Sequence, residues 1–482
     1  MIEFYKHQLE NIDFKTKHNR AFDTSTCGTG KTLSTLESWR RRNDGKLMVI
    51  APKSTLEAVW YNDAKALNPD MAVAWFDRNQ QRKDSNYIKK ICDQNDIVVI
   101  NIEAVDLVLQ NCHLTPFSTL VVDEFTSIKN RNAQRSKNVE LLSQHFDNLY
   151  LLSGTPTPNG ILDIWHPAFV LDRGERLGRN FSAFRNIVCQ PVLKTAGMRQ
   201  FTEWVELPGA IEEVGNVLRD VTIRHVLEDV VDMPERLMVE RVITMPDKLR
   251  KMYDELKAQA ILQLKTDRGT ANKVYQALME DPTTGKLGVG ALPFPDDTDD
   301  IVAVNKAVLY NKLLQVASGS AYLEGGGSRL LDTSKYELIC DLILERPASL
   351  VFFIWQHQRD ALAKLLDKHK VPYAVIDGNV SQAKRAEIVR DFQDGKYRTV
   401  LLQPAAAAHG ITLTRSVASI WCSPTYNLEH FLQANHRDYR IGQTKRSEVI
   451  MVRYRGTLEG EVYKRLQQKN SNLNDLLSIL ES

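Results

Sequence analysis

Short apolar runs recur along the first part of the chain, separated by polar stretches of helix length. LMVIA at 47–51 is bounded by Gly45 and Pro52, and DIVVIN at 96–101, TLVVDE at 119–124 and NLYLLS at 148–153 repeat the signal. Continuous runs of this kind are what a parallel strand covered on both faces requires. RAFD at 20–23 is a shorter candidate strand, Leu33, Leu36 and Trp39 recur at helical spacing, and 55–66 reads as a helix. Strands alternating with helices predict an α/β domain built on a doubly wound parallel sheet. Ligands of such sheets bind at the carboxyl ends of the strands.

The pattern changes from about 161 to 231, where aromatic residues (Trp165, Phe169, Phe181, Phe184) are interleaved with basic ones and no strand-turn-helix unit is evident. This predicts a helical insertion, with 224–234 running back across the molecule. Residues 281–300 carry proline, glycine and Asp296, Asp297, Asp299 and Asp300, which predicts a mobile loop. A second strand-helix series begins near Ser349. Its candidate strands are 350–355, 373–376, 399–402, 418–422 and 448–452, with an amphipathic helix over 381–393. The expected division is therefore 1–160, an insertion and connection over 161–330, and a second α/β domain over 331–482.

A chain of 482 residues exceeds one ordinary core, in keeping with two or three domains. With 43% hydrophobic and 25% charged residues it has a globular composition. The net charge of +2 supplies no global basic excess, so any nucleic-acid surface must be a local patch. The six cysteines are scattered without metal-ligand spacing, which predicts reduced thiols and no zinc site. The opening MIEFYK lacks the apolar run of a signal peptide, and no stretch has membrane-spanning length. A cytoplasmic protein without a membrane partner is expected, in a bacterial cell or, if phage-encoded, in its host.

Chemistry enters at STCGTGKT, 25–32. A glycine-rich turn between strand and helix lets the backbone amides of Cys27, Gly28, Thr29 and Gly30 form a nest for phosphate at a helix N-terminus. Lys31 would reach the β- and γ-phosphates and Thr32 would hold Mg²⁺. The first glycine of the usual pattern is replaced by Ser25. Asp123 and Glu124 end an apolar run, one suited to a metal ion and the other to orienting a water. SGTPTPN at 153–159 makes a tight turn on the same predicted rim, exposing the hydroxyls of Ser153 and Thr155. Gln8 could read an adenine edge through its amide. Arg437 and Arg440, at i and i+3 in QANHRDYRIGQ, would share one helical face.

Together these stretches resemble superfamily-two nucleic-acid motors, and within them the Swi/Snf-related group. The matching segments are Gln8, CGTGKT at 27–32, APKS at 51–54, DEFTSIKN at 123–130 and SGTPTPNG at 153–160. VIDGNVS at 375–381 with Arg385, HGITLT at 409–414 and QANHRDYRIGQ at 433–443 complete the set. The resemblance implies two RecA-like doubly wound lobes with a helical insertion, and ATP with Mg²⁺ between the lobes. It assigns Lys31 and Thr32 to phosphate and metal, Asp123 to Mg²⁺, Glu124 to water activation and Gln8 to adenine. Gly410 falls to the cofactor site, Arg437 and Arg440 to trans-acting fingers, and Ser153 and Thr155 to coupling. Pro52, Lys53, Asn101, Asp377, Gly378, Thr412 and Thr414 fall on stretches that in the group track a DNA backbone. Such contacts hold phosphate rather than bases, so low sequence specificity and high salt sensitivity are expected.

Three departures stand out: DEFT in the acidic motif, PAAAA at 404–408 where the group has a glycine pair, and Ser25. The expectation is a minimal bacterial or phage motor, hydrolysing ATP to move along or remodel duplex or branched DNA without sequence preference. Both a pure duplex translocase and a strand-separating, branch-migrating helicase fit these motifs. An ATP-gated clamp that switches on DNA without travelling is the alternative from another class.

Overall fold

The computed structural model describes residues 3–78, 86–196, 199–266, 306–323, 327–407 and 411–481. The predicted loop at 281–300 and Gly410 lie outside the described residues. Contacts divide the chain into two compact units. One gathers Met1–Gln190, Val205–Met233 and Lys469–Ser482, the other Pro191–Trp204 and Pro234–Gln468.

The first unit begins with the helix Lys6–Lys17 (α1), the strand Arg20–Asp23 (β1) and the helix Lys31–Arg42 (α2). Five further strands follow: Lys46–Ile50 (β2), Val73–Phe76 (β3), Ile97–Ile100 (β4), Phe117–Asp123 (β5) and Asn148–Leu152 (β6). Cys189–Ala196 (β7) and Arg199–Glu206 (β8), most of whose residues belong to the second unit, pair with each other as a separate two-stranded sheet. Thr222–Ile223 (β9) returns to the main sheet beside β1, giving the order β3-β4-β2-β5-β6-β1-β9 with every pairing parallel. Leu36, Val49, Val99, Val121 and Leu152 share one buried cluster, the covered sheet face that the apolar runs demand.

The main sheet of the second unit is also parallel throughout. The unit's strands are Arg236–Ile243 (β10), the short antiparallel pair Ser320–Tyr322 (β11) and Ser328–Leu330 (β12), and then Ser349–Phe352 (β13), Tyr373–Ile376 (β14), Thr399–Leu402 (β15), Ala418–Trp421 (β16) and Ser447–Tyr454 (β17). The main sheet runs β10-β17-β16-β13-β15-β14. Val351, Leu401, Ile420 and Ile450 lie in its core.

The α/β class and parallel sheets expected from the sequence are present in both units. The borders at 160 and 330 do not follow the units, and packing explains why. Helices Trp165–Asp172 and Phe181–Val188 remain with the first unit, and Arg20 of β1 donates to the carbonyls of Leu171 at 2.9 Å and Phe146 at 2.8 Å. The second sheet starts at Arg236, because β10 pairs along its whole length with β17. The 161–231 stretch also contains strands, β7 to β9, that its aromatic pattern did not reveal. The expected helix at 55–66 is a π-helical turn, Leu56–Tyr61, running into Asn62–Leu67. The stretch PAAA forms a short helix, Pro404–Ala407. Among the described residues, no helix is long and apolar enough to cross a membrane, no group of three or more acidic, histidine and cysteine side chains is placed to hold a metal ion, and the six cysteines are free.

Candidate functional site

Strands β5, β6 and β1 are neighbours in the first sheet, so the segments leaving their carboxyl ends meet on one rim. The segment after β1 is the glycine-rich turn. Gly28 and Gly30 have φ of 91° and 85°, a left-handed conformation that side-chain-bearing residues avoid. A Cβ on Gly30 would also stand 2.1 Å from Gln8 Nε2. Gly30 caps α2 without contributing a side-chain bond, so the first amides of that helix lack an intrahelical acceptor. They form an electropositive cradle suited to phosphate. Lys31 donates from Nζ to the carbonyls of Ser25 at 2.5 Å and Thr26 at 3.1 Å. Thr32 lies in the first turn of α2 and is partly exposed.

Asp123, at the end of β5, accepts a hydrogen bond from Trp60 Nε1 at 2.8 Å on Oδ2. Burial pushes its carboxyl above the usual carboxylate range, while the Trp60 bond and the Lys31 charge oppose that rise. Glu124 has φ 55° and ψ 62°, an uncommon conformation for glutamate. Ser153, just past β6, donates to Glu124 Oε2 at 3.0 Å and accepts the Thr155 backbone N–H at 3.1 Å. A Cβ on Gly154 would lie 3.5 Å from the Cys27 nitrogen, so the 153–155 turn packs directly on the phosphate loop. Thr155 Oγ1 is buried with no hydrogen-bond partner among the described residues.

The Gln8 amide, expected to contact adenine, is engaged by the chain itself. Its Oε1 accepts Tyr5 N–H at 3.0 Å and its Nε2 donates to Thr29 O at 3.2 Å, the carbonyl that His7 Nε2 also meets at 2.9 Å. The amide therefore joins the start of α1 to the loop and retains one hydrogen for another acceptor. Ser25 finds its explanation in the returning chain. Ser25 Oγ accepts His225 N–H at 3.1 Å, Thr26 Oγ1 accepts Leu227 N–H at 2.9 Å and Arg224 donates to Thr24 O at 2.6 Å. A glycine at 25 would forfeit the first of these.

The residues expected to follow DNA divide by exposure. Asn101 is buried and holds Asp77 Oδ1 at 3.2 Å, Glu103 Oε2 at 2.8 Å and Arg78 N–H at 3.1 Å. It supports the loop rather than presenting a side chain outward. Lys53 is exposed and pairs with Asp77 at 2.5 Å, while Pro52 is half-buried. In the second unit Asp377 is buried, accepting Arg359 at 2.7 Å and Asn379 N–H at 2.9 Å. Gly378 and Thr412 are exposed, and Thr414 accepts Gln393 Nε2 at 3.1 Å.

Arg437 and Arg440 do not share a helical face, because the helix Leu428–Asn435 ends before both. They lie in the turns after it. Arg437 is only 2% exposed, with Nε donating to Gln433 O at 2.7 Å and a guanidinium nitrogen to Ile411 O at 3.3 Å. Arg440 is partly exposed and reaches Thr412 Oγ1 at 3.2 Å. Asn435, Asp438 and Gln443 of the same motif are buried. Asn435 accepts Trp421 Nε1 at 2.9 Å, Asp438 accepts Ser419 Oγ at 3.0 Å, and Gln443 donates to the carbonyls of Thr414 and Ser416, each at 2.9 Å. Much of this motif is thus a structural knot, with Arg440 at its exposed edge.

Sequence reasoning passed over Asn11, Lys15 and Asp23, which sit under the phosphate loop. A signal was present: Gln8, Asn11, Ile12 and Lys15 are spaced as one helical face, and three of them are polar on the face that is buried.

Residues 11–286 match the SNF2-related domain and residues 334–442 the helicase conserved C-terminal domain. A protein described as putative protein p41, from Acyrthosiphon pisum secondary endosymbiont phage 1, is 22% identical, covering 98% of this chain and 97% of its own length. The ISWI chromatin-remodeling complex ATPase CHR17 of Arabidopsis thaliana is 26% identical over 92% of this chain, which spans 39% of that longer protein. A solved Sulfolobus solfataricus SWI2/SNF2 ATPase core in complex with dsDNA is 20% identical, with a TM-score of 0.41, covering 99% of this chain and 93% of its own.

Proposed function

The chain belongs to the SNF2-related family, and from that premise we propose that it is an ATP-driven motor acting on duplex or branched DNA without sequence preference. One observation carries the reading: the Lys31 loop, the Asp123–Glu124 pair and Ser153 converge from three adjacent strands. The residues present fit ATP and Mg²⁺, with uncapped amides and an ammonium for phosphate, and a hydroxyl and carboxylate for the ion. Thr32 and Asp123 would hold Mg²⁺, whose chemistry is to polarise the phosphoanhydride.

Glu124 orients the attacking water and accepts its proton, held for that task by the Ser153 hydroxyl. Ser153 is bonded to Glu124 and its turn packs on the loop, so a change at the phosphates would reach residues 153–160. This is the coupling role we assign to Ser153 and Thr155. Arg440 is the arginine of the second unit that we assign to charge developing on the transferred phosphoryl group. The exposed groups at Lys53, Gly378 and Thr412 are the ones suited to a DNA backbone.

The test is ATP turnover measured with single-stranded, duplex, forked and four-way-junction DNA and with RNA. Stimulation by duplex or branched DNA that rises with DNA length is expected, and Lys31→Ala should abolish it. DNA-stimulated turnover persisting in Lys31→Ala would sink the assignment of the loop. ATP-dependent DNA affinity with turnover indifferent to DNA length would instead favour the stationary clamp. Triplex displacement run beside fork unwinding separates a translocase from a strand-separating helicase.

A further inference from the structure

Beneath the phosphate loop lies an ion pair that none of the motifs includes. Lys15 Nζ, on α1, donates to Asp23 Oδ2 at 2.7 Å, and both side chains are 0% exposed. The same ammonium donates to Thr35 Oγ1 of α2 at 2.6 Å. Thr35 in turn donates to Lys31 O at 2.7 Å. On the other side, Asp23 Oδ1 accepts Ser25 N–H at 3.0 Å, while Asn11 Nδ2 donates to Oδ2 at 2.9 Å. One buried ammonium is thereby linked to both ends of the loop, to Ser25 through Asp23 and to Lys31 through Thr35.

Stability alone is a poor reason for such a pair. Removing two charges from water costs about as much as their attraction returns, and apolar residues of similar volume commonly do as well or better. The location suggests another reason. Asp23 is close enough to Lys31 to feel its charge: burial would raise the Asp23 carboxyl, but Lys15 and Lys31 outweigh it and hold the group well below the usual range. An uncompensated carboxylate there would compete with phosphate for the Lys31 ammonium in a medium that screens poorly. Lys15 supplies the compensation from below, on the side away from any ligand of the loop.

We propose that Lys15 and Asp23 are a buried positioning pair, fixing both ends of the phosphate loop while keeping the Lys31 ammonium available to nucleotide. The inference rests on the nucleotide-binding reading of that loop, but not on movement along DNA.

Direct titration of the full-length chain with Mg-ATP, beside steady-state turnover and thermal melting, tests it. Lys15→Met leaves Asp23 uncompensated, and ATP affinity should fall at least about tenfold while kcat at saturation changes less than about threefold. The double variant Lys15→Met with Asp23→Asn removes both charges and keeps an acceptor for Ser25 N–H. It should recover most of the lost affinity, and with no unpaired buried charge it remains informative if the single variant does not fold. A folded Lys15→Met that binds ATP as the unaltered chain does would overturn the proposal. So would a double variant that binds ATP at least about tenfold more weakly than the unaltered chain. A chain that binds ATP tightly but shows no DNA-stimulated turnover would defeat the motor reading and leave this test intact.

Discussion

The Ser153 hydroxyl donates to Glu124 Oε2 across 3.0 Å, joining the turn after β6 to a glutamate whose backbone is left-handed at φ 55°. The bond does two things at once. It restrains a side chain on an unfavourable backbone, and it links the acidic motif to a turn that rests on the phosphate loop.

Glu124→Gln should therefore lower kcat by at least about a hundredfold if Glu124 has its proposed role, because the change removes the carboxylate assigned to take up the water's proton. Ser153→Ala should cost less, about tenfold in kcat, by loosening Glu124 without replacing it. In both variants ATP affinity should stay within about threefold of the original. Equal losses of affinity and turnover would show that these residues bind nucleotide rather than act on it.

Arg437 and Arg440 should separate cleanly. Arg437→Ala leaves the carbonyls of Gln433 and Ile411 without their buried donor and should cost about 2–4 kcal/mol of stability. Arg440→Ala, at a partly exposed site, should change stability by less than about 0.5 kcal/mol yet reduce turnover about 10³-fold. Denaturant melts beside ATPase rates check this. The reverse pattern would make Arg437 the catalytic one.

Lys335 and Glu459 form another fully buried ion pair, 2.5 Å apart in the second unit, with Glu459 also accepting Tyr454 N–H at 3.0 Å. Lys335→Met strands a carboxylate in the core and should cost about 3–5 kcal/mol. Adding Glu459→Gln should recover much of that, because the amide oxygen can still accept from Tyr454. A double variant less stable than the single one would contradict the charge argument.

His357 is buried between aromatic neighbours, with both ring nitrogens lacking hydrogen-bond partners among the described residues. Burial lowers its pKa from 6.5 to about 3. The folded state holds it neutral, so the unfolded chain takes up the proton first as pH falls below 6.5. Stability should then drop by up to about 1.4 kcal/mol per pH unit from this group, levelling off near pH 3. His436, likewise lowered to about 3, adds a slope of the same sign. His357→Leu should flatten the dependence between pH 7 and 5 in urea titrations, and an unchanged slope would exclude His357 as a source.

The central strands were legible because burial on both faces leaves a contiguous apolar run, as in β4 and β5. Three of the four strands at the margins were not, and β14, with its apolar YAVI, is the exception. β3, β9 and β10 lie at sheet edges, where VAWF, TI and RLMVERVI carry weak or mixed patterns. The β7–β8 hairpin escaped notice for a related reason, since it pairs only with itself. Among candidate site residues, Lys31, Asp123, Glu124 and Ser153 converge as expected. Asn101, Asp377 and Arg437 proved to be buried supports, a distinction that residue type and spacing do not contain.

The sequence by itself determined the class of both domains and the chemical groups on the first rim. Those properties follow from short-range facts: a run of apolar residues, two closely spaced glycines before a lysine and a threonine, an acid pair ending a run. Tertiary structure alone decided which polar side chains turn inward. Lys15 meets Asp23 and Thr35, and Ser25 meets His225, through packing between elements separated in the chain. A local pattern records that a residue is polar. Whether water or a buried counter-charge satisfies it depends on what the fold brings alongside.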